Sequence, residues 1–324
     1  EKDLNELSLA SSGLTEIKLK QVTAKALAQR GKISSEDIKD ILEEKKQVIA
    51  RSEILEFFES KSSQDDIGGL NVLKIWLNQR YRAFSKEARD YGLPIPKGVL
   101  LVGAQGTGKS LTAKSISKSW SMPLLRLDVG RLFSSLVGSS EARTRETISR
   151  AEAMSPCILW IDEIDKGFGG DARSDGGTSQ RVLASLLTWM AEKEAAVFVI
   201  ATANAIDKLP PELLRKGRFD EIFFLDLPNS EERLSILDLH LKRRRPSYNF
   251  PLTTIIGRTD GFSGAELEQA VIEGMHISFS ENRELTEKDL IKAVSELVPL
   301  SRTAKEQIDL LKEWASTGRA RSAS

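Results

Sequence analysis

The sequence predicts an α/β fold: a parallel sheet with helices on both faces, preceded by a helical segment and followed by a small unit of helices alone. Three observations predict it. Between residues 65 and 228 short apolar runs alternate with longer amphipathic stretches, as buried parallel strands and their crossover helices require. From Asn229 onward the pattern is helical only. One apolar run also leads directly into a glycine-rich loop and a helix-compatible segment.

Composition sets the outer bounds. The chain has 324 residues, enough for two or three compact units, with 40% apolar and 29% charged residues, as in ordinary globular proteins. Lys and Arg together number 47, as do Asp and Glu, so a general binder of nucleic acid or anionic membrane is not supported. Cys157 is the one cysteine and only His240 and His276 accompany it. A disulfide framework and a structural zinc site are therefore excluded, which fits a reducing compartment such as cytosol or stroma. No apolar run approaches the roughly 18 residues of a membrane span. The start, Glu1-Lys2-Asp3, lacks the form of a signal peptide. It also lacks a Met, so a preceding segment carrying a partner-binding part is expected.

Residues 1–64 read as a helical segment. Ser34 or Ser35 caps a helix whose apolar positions Ile38, Ile41, Leu42, Val48, Ile49 and Leu55 recur mostly at helical spacing, and 59–64 reads as a linker. The runs 99–102, 124–127, 157–161, 197–201 and 222–225 read as strands of a core spanning 65–228. Residues 229–315 form the helical lid. Its helix starts are marked by Asn229 with Glu232, Ser263 with Glu266, and Thr286 with Asp289, at capping-box spacing. Residues 316–324 are small and basic and are expected to fray.

Gly103-Ala104-Gln105-Gly106-Thr107-Gly108-Lys109-Ser110 fits GxxxxGK[ST], with a strand before it and a helix-compatible stretch from Leu111 after it. Such a loop turns backbone N–H groups onto phosphate oxygens at a helix N-terminus. Lys109 would reach the β- and γ-phosphates and Ser110 would give its hydroxyl to Mg²⁺. The strand 157–161 ends in Asp162 and Glu163, placed to hold Mg²⁺ through water and to polarise the attacking water. Asn204 closes the next strand, in Ala201-Thr202-Ala203-Asn204, and can orient that water or touch the γ-phosphate. In Leu213-Leu214-Arg215-Lys216-Gly217-Arg218-Phe219-Asp220, the arginines Arg215 and Arg218 suit a transferring phosphate, often that of a neighbouring chain.

These motifs, with Asp66-Ile67-Gly68-Gly69-Leu70, Pro96-Lys97-Gly98-Val99-Leu100-Leu101 and Gly261-Phe262-Ser263-Gly264-Ala265-Glu266-Leu267, occur in the order found in the AAA ATPases, which the chain resembles from about Asp65 to Pro299. The resemblance implies a P-loop ATPase core with a five-stranded sheet, a helical lid, ATP or ADP with Mg²⁺, and a ring, usually of six subunits, with ATP at each interface. It assigns Ile67 and Gly68 to the adenine pocket, His240 to the adenine and ribose, and Gly264 and Ala265 to the base. A lone helical histidine is as readily structural. A narrower resemblance, carried by Thr188-Trp189-Met190-Ala191-Glu192-Lys193, Leu209-Pro210-Pro211-Glu212 and Asp220-Glu221-Ile222-Phe223-Phe224, is to the uncharacterised ycf-type AAA proteins of cyanobacteria and red-algal plastids. It implies that residues 1–64 are the lid end of a degenerate ATPase unit and that the protein works in cyanobacterial cytosol or plastid stroma.

One position departs from the substrate-threading members. Where they carry an aromatic pore residue, this chain has Leu136, in Ser135-Leu136-Val137-Gly138-Ser139-Ser140-Glu141. Leucine offers a translocating chain less area and no flat face. Three functions follow: an oligomeric ATPase that remodels a protein client, an ATP-gated scaffold with weak hydrolysis, and a nucleic-acid motor using the run Lys242-Arg243-Arg244-Arg245. No aromatic residues interleave that run, and cations are favoured at a helix C-terminus in any case.

Overall fold

The computed structural model describes residues 16–31, 41, 54–58, 66–133, 139–168 and 178–324. The cap expected at Ser34 or Ser35, the linker expected over 59–64 and the loop position Leu136 lie outside the described residues. In chain order the elements are helix α1 (Glu16–Arg30), strand β1 (Leu55–Phe58), α2 (Asn71–Arg82), β2 (Gly98–Gly103), α3 (Lys109–Trp120), β3 (Leu124–Leu127), α4 (Ser139–Ala153), β4 (Cys157–Ile161), α5 (Thr178–Glu192), β5 (Val197–Ala203) and β6 (Glu221–Leu225). Then come α6 (Ser230–Arg244), α7 (Gly264–Ser280), α8 (Glu287–Glu296), α9 (Lys305–Trp314) and β7 (Arg321–Ser322), with shorter helical turns between.

The five expected strands are β2 to β6, and they pair in parallel in the order β3-β4-β5-β2-β6. All residues of β2, β4 and β5 are buried, which is why these runs are apolar without alternation. Successive side chains of β2 point to opposite faces. Leu100 and Val102 join one core with Leu183 and Leu187 of α5, whereas Val99 and Leu101 join the other with Trp76 of α2 and Trp120 of α3.

The sheet has seven strands, not five, and is not wholly parallel. β1 lies antiparallel to β3, with Leu55 opposite Leu127 and Phe58 opposite Leu124. Leu55 had fitted a helical spacing. Its neighbour Glu56 points outward beside Arg126, the period-two pattern that four residues are too few to reveal. At the other edge, the tail expected to fray runs parallel to β6 as β7. Ala323 is buried there, its N–H donating to Phe224 O at 3.0 Å and its carbonyl accepting from Leu73 N at 3.0 Å.

Helices α6, α7 and α8 enclose a third core around Leu237, Leu241, Leu267, Val271 and Leu290. Asn229 with Glu232 and Ser263 with Glu266 form reciprocal capping boxes. At α8, Asp289 accepts from Thr286 N at 2.9 Å. Helix α9 does not join this third core, because Ile308, Leu311 and Trp314 pack on the sheet.

An ion pair between exposed Arg283 and buried Asp289 braces the α7–α8 turn. Arg283 donates to both oxygens of Asp289 at 2.6 Å each. These bonds, with those from Thr286, hold the Asp289 carboxyl down at about 2 against its burial. A depressed carboxylate contributes stability that is complete above its unfolded value near ~3.9 and is lost as pH falls through the folded value. Arg283→Ala is expected to destabilise the fold at pH 7, because it removes the partner that depresses Asp289, with the deficit closing as the pH falls from ~4 to ~2. Urea unfolding followed by circular dichroism at several pH values reads this. A variant as stable as the parent at pH 7 would contradict it.

Candidate active site

Strand β2 ends where the phosphate loop begins, and α3 starts at Lys109. Gly108 sits at φ 94°, a left-handed conformation open to glycine, with no atom crowding it. Gly106 is also left-handed (φ 75°), and a Cβ there would lie 2.8 Å from Ser263 Oγ and 3.0 Å from Ala265 Cβ. Glycine at 106 therefore lets the lid close on the loop, where Ala265 N donates to Gly106 O at 3.2 Å.

The Lys109 ammonium is buried and donates to Gly103 O at 2.8 Å and Ala104 O at 2.5 Å. Burial pulls its pKa down to about 8, and the carboxylates of Asp165, Asp162 and Glu163 oppose that, so it is charged at neutral pH. Gly103 and Ala104 thus face the lysine rather than the cavity, while Gln105, Gly106, Thr107, Gly108, Lys109, Ser110 and Leu111 line it. Its volume is about 430 Å³, within the range of small-molecule sites. Its far wall is apolar, built from Ile67, Leu70, Ile236, Leu239 and Ala265, with Gly68, Gly264 and His240 beside them. A Cβ on Gly68 would fall 2.5 Å from Ile236 Cγ1, so core and lid meet at that glycine.

Donor chemistry fits a magnesium nucleotide. Ser110 Oγ donates to Asp162 Oδ1 at 2.9 Å, which places two hard oxygen donors together at the loop's helix. Among the described residues no three His, Cys, Asp or Glu cluster as a metal site of their own, so water and phosphate oxygens would complete the shell. The apolar wall suits a base and the loop amides suit phosphates.

Asp162 and Glu163 are held by a residue the sequence reading left unassigned. Buried Thr202 donates to Asp162 Oδ1 at 2.8 Å and accepts from Glu163 N at 2.8 Å. Glu163 adopts φ 50°, a strained left-handed conformation for a non-glycine residue, of the kind that marks functional sites. Both its oxygens are engaged: Oε1 by Asn204 Nδ2 at 3.0 Å and Oε2 by Lys166 Nζ at 2.5 Å. Asn204 is fixed in turn by Asp165, which accepts from its N–H at 3.2 Å, and by Gln307 of α9, which donates to its carbonyl at 3.1 Å. The structure thus brings Asn204 to the Glu163 carboxylate.

At the opposite wall His240 Nδ1 lies 3.2 Å from Arg244 Nη1 and 3.5 Å from Glu268 Oε1. Burial lowers its pKa, with Glu268 opposing, which favours the neutral ring. Asp66, Leu70, Glu232, Ile236, Leu239 and Glu268 also line the cavity without having been singled out. Glu232 was legible only as a cap; its other oxygen accepts from Leu70 N at 3.2 Å and so ties the lid to the core.

Arg215 and Arg218 do not line this cavity. Their loop sits where β2 and β6 begin, with Asp220 N donating to Gly98 O at 2.9 Å. The phosphate loop lies at the other end of the six-residue β2, about 16 Å away along the strand and beyond the reach of one side chain. Among the described residues neither guanidinium makes an ion pair, and the buried Arg218 Nε has no acceptor. The basic run behaves differently. Lys242 pairs with Asp238, Arg243 with Asp66, Arg244 with Glu268 and Arg245 with Glu284. Each cation of the run thus has a carboxylate partner in the same chain.

A family profile described as "ATPase family associated with various cellular activities (AAA)" matches residues 99–227. Another, "SpoVK-like AAA ATPase, second domain", matches residues 1–52. The chain is 52% identical over 327 residues to the "Uncharacterized AAA domain-containing protein ycf46" of Guillardia theta, covering 100% of this chain and 65% of that protein. Against the protein of the same name from Pyropia yezoensis it is 52% identical over 324 residues, 99% of this chain and 66% of the relative. The chain thus spans slightly less than two thirds of the length of both. The "ATP-dependent zinc metalloprotease FtsH" of Cyanidium caldarium is 36% identical over 243 residues, 72% of this chain and 39% of that protein. On this geometry and these matches, the chain belongs to the AAA ATPase family.

Proposed function

We propose that this chain hydrolyses ATP with Mg²⁺ at the interfaces of a ring of identical subunits, with six as the family's usual number, and uses the cycle to remodel or regulate a protein client. The observation that carries the reading is the separation of its parts. Lys109, Ser110, Asp162, Glu163 and Asn204 gather at one end of β2, and Arg215 and Arg218 stand unpaired at the other. A transferring phosphoryl group needs cationic stabilisation beyond Lys109, and an arginine donated by a neighbour supplies it. Bound Mg²⁺ neutralises charge that develops on the phosphate oxygens. Within the chain, Ser110 and Asp162 would hold the cation, Glu163 would take the proton of the attacking water, and Asn204 would orient Glu163 through the 3.0 Å hydrogen bond.

Hydrolysis per subunit is therefore expected to rise with protein concentration until assembly is complete. Undiminished turnover in a monomer proven by light scattering would contradict the reading.

An ATP-gated scaffold is favoured by one feature of the sequence, Leu136 in place of an aromatic pore residue. It predicts nucleotide-dependent assembly without unfolding of a tagged test protein. The match of residues 1–52 to an AAA second domain supports the proposal that the residues before β1 are the lid end of a preceding ATPase-like unit, while β1 itself belongs to the sheet of this one. No described helix is long and apolar enough to cross a membrane. We place the protein in a cyanobacterial cytosol or plastid stroma on its similarity to the relatives above.

A further inference from the structure

The loop that carries Arg215 and Arg218 is fixed by groups that touch neither this chain's cavity nor each other's charge. Its ends are buried: Leu213 on one side and Phe219 on the other both sit in the core under the sheet. A bridge between Lys216 and Phe219 closes it, and Gly217 turns it through φ 94°. At the apex, Gly217 O accepts from Lys97 Nζ at 2.8 Å, and the same ammonium donates to Ala191 O at the end of α5, also at 2.8 Å. The residue after the loop completes the attachment. Asp220 Oδ2 accepts from Lys97 N at 2.8 Å and Gly98 N at 3.0 Å. Lys97 thus spends its ammonium on two backbone carbonyls, one of them in the arginine loop, and Asp220 ties the loop to the start of β2.

That expenditure has a physical purpose. A guanidinium stabilises a transferring phosphoryl group only when held in place, and about 1 Å of misplacement can cost a hundredfold in rate. Arg215 and Arg218 make no ion pair among the described residues, so their own side chains do not fix the loop; the backbone must. Gly98, at the clamped end of β2, and Gly103, at the phosphate loop, bound one fully buried strand.

We infer that Lys97, together with Asp220, is a positioning residue for the trans-acting arginines, setting the loop that one subunit presents to the next subunit's nucleotide. The inference rests on the proposed ring-interface ATPase and concerns which end of the subunit Lys97 serves.

Lys97→Met keeps the apolar stem and removes the donor. It is expected to leave the affinity for a fluorescent ADP analogue within about twofold and to lower kcat by about ten- to a hundredfold, while Lys97→Arg retains most of the activity. Co-expression separates a loop defect from a general one. In mixed assemblies with Glu163→Gln, whose arginines are intact, Lys97→Met cavities recover hydrolysis. With the Arg215→Ala, Arg218→Ala double variant they do not. Should Lys97→Met fail to fold, Lys97→Gln, whose shorter neutral amide does not reach as far as the ammonium, serves the same comparison. Wild-type turnover by the Lys97 variant, or a loss that the Glu163→Gln partner does not repair, would overturn the clamp alone. Full activity of the arginine double variant would instead overturn the interface reading and the clamp with it.

Discussion

Glu163→Gln is expected to bind ATP at least as well as the parent and to hydrolyse it about 10²–10⁴-fold more slowly, the usual contribution of a positioned general base. The change removes one negative charge beside the phosphate loop and keeps the volume. Gln can still accept from Asn204 Nδ2, so the hydrogen bond that the structure places at 3.0 Å survives. The ion pair with Lys166 does not, because a neutral amide offers that ammonium no charge. Slow turnover with retained nucleotide holds the ATP-bound assembly, so the variant is expected to run as a larger particle in size-exclusion chromatography with ATP. Protein clients trapped on it become identifiable by mass spectrometry. Hydrolysis at the parental rate would remove Glu163 as the base.

The second large effect concerns the arginines. Arg215→Ala with Arg218→Ala is expected to lower kcat by about 10³-fold or more, the range in which an arginine finger acts, with little change in nucleotide affinity. The asymmetry follows from placement. Neither residue lines the chain's own cavity, so the binding surface is intact, whereas the charge offered to a neighbouring phosphate is gone. The substitutions break no ion pair among the described residues and are expected to leave stability nearly unchanged. A measured loss of nucleotide affinity equal to the loss of rate would place the arginines at the chain's own nucleotide.

How much of this was legible in sequence differs element by element. The phosphate loop was legible because left-handed turns and close backbone approach demand glycine, and Gly106 and Gly108 show both demands. The central strands were legible because burial on two faces leaves only apolar residues, as in Cys157–Ile161. The lid's capping boxes were legible because the cap and its partner lie three residues apart. What escaped depends on contacts distant in the chain. Arg321 and Ser322 have no strand-like character of their own; they pair because β6 offers an open edge and Ala323 fills a space beside Leu73. Helix α9 reads as one more lid helix until Ile308 and Trp314 are seen against the sheet. Thr202 looked like one polar residue closing an apolar strand, and its work on Asp162 and Glu163 spans about forty positions of chain. Lys97 was legible only as part of a motif, because its ammonium reaches Gly217 O, 120 positions away in the chain.

The central claim is that one site is built from two subunits, and mixing two inactive variants tests it most directly. One chain carries Glu163→Gln, and the other carries Arg215→Ala with Arg218→Ala. Each alone has a defect at every interface. In a ring assembled at random from equal amounts, about one interface in four joins an intact cavity to intact arginines. The account predicts that the mixture recovers up to about a quarter of parental hydrolysis per subunit, while the separate variants remain inactive at the same concentration. A mixture no more active than the average of its two components would contradict it.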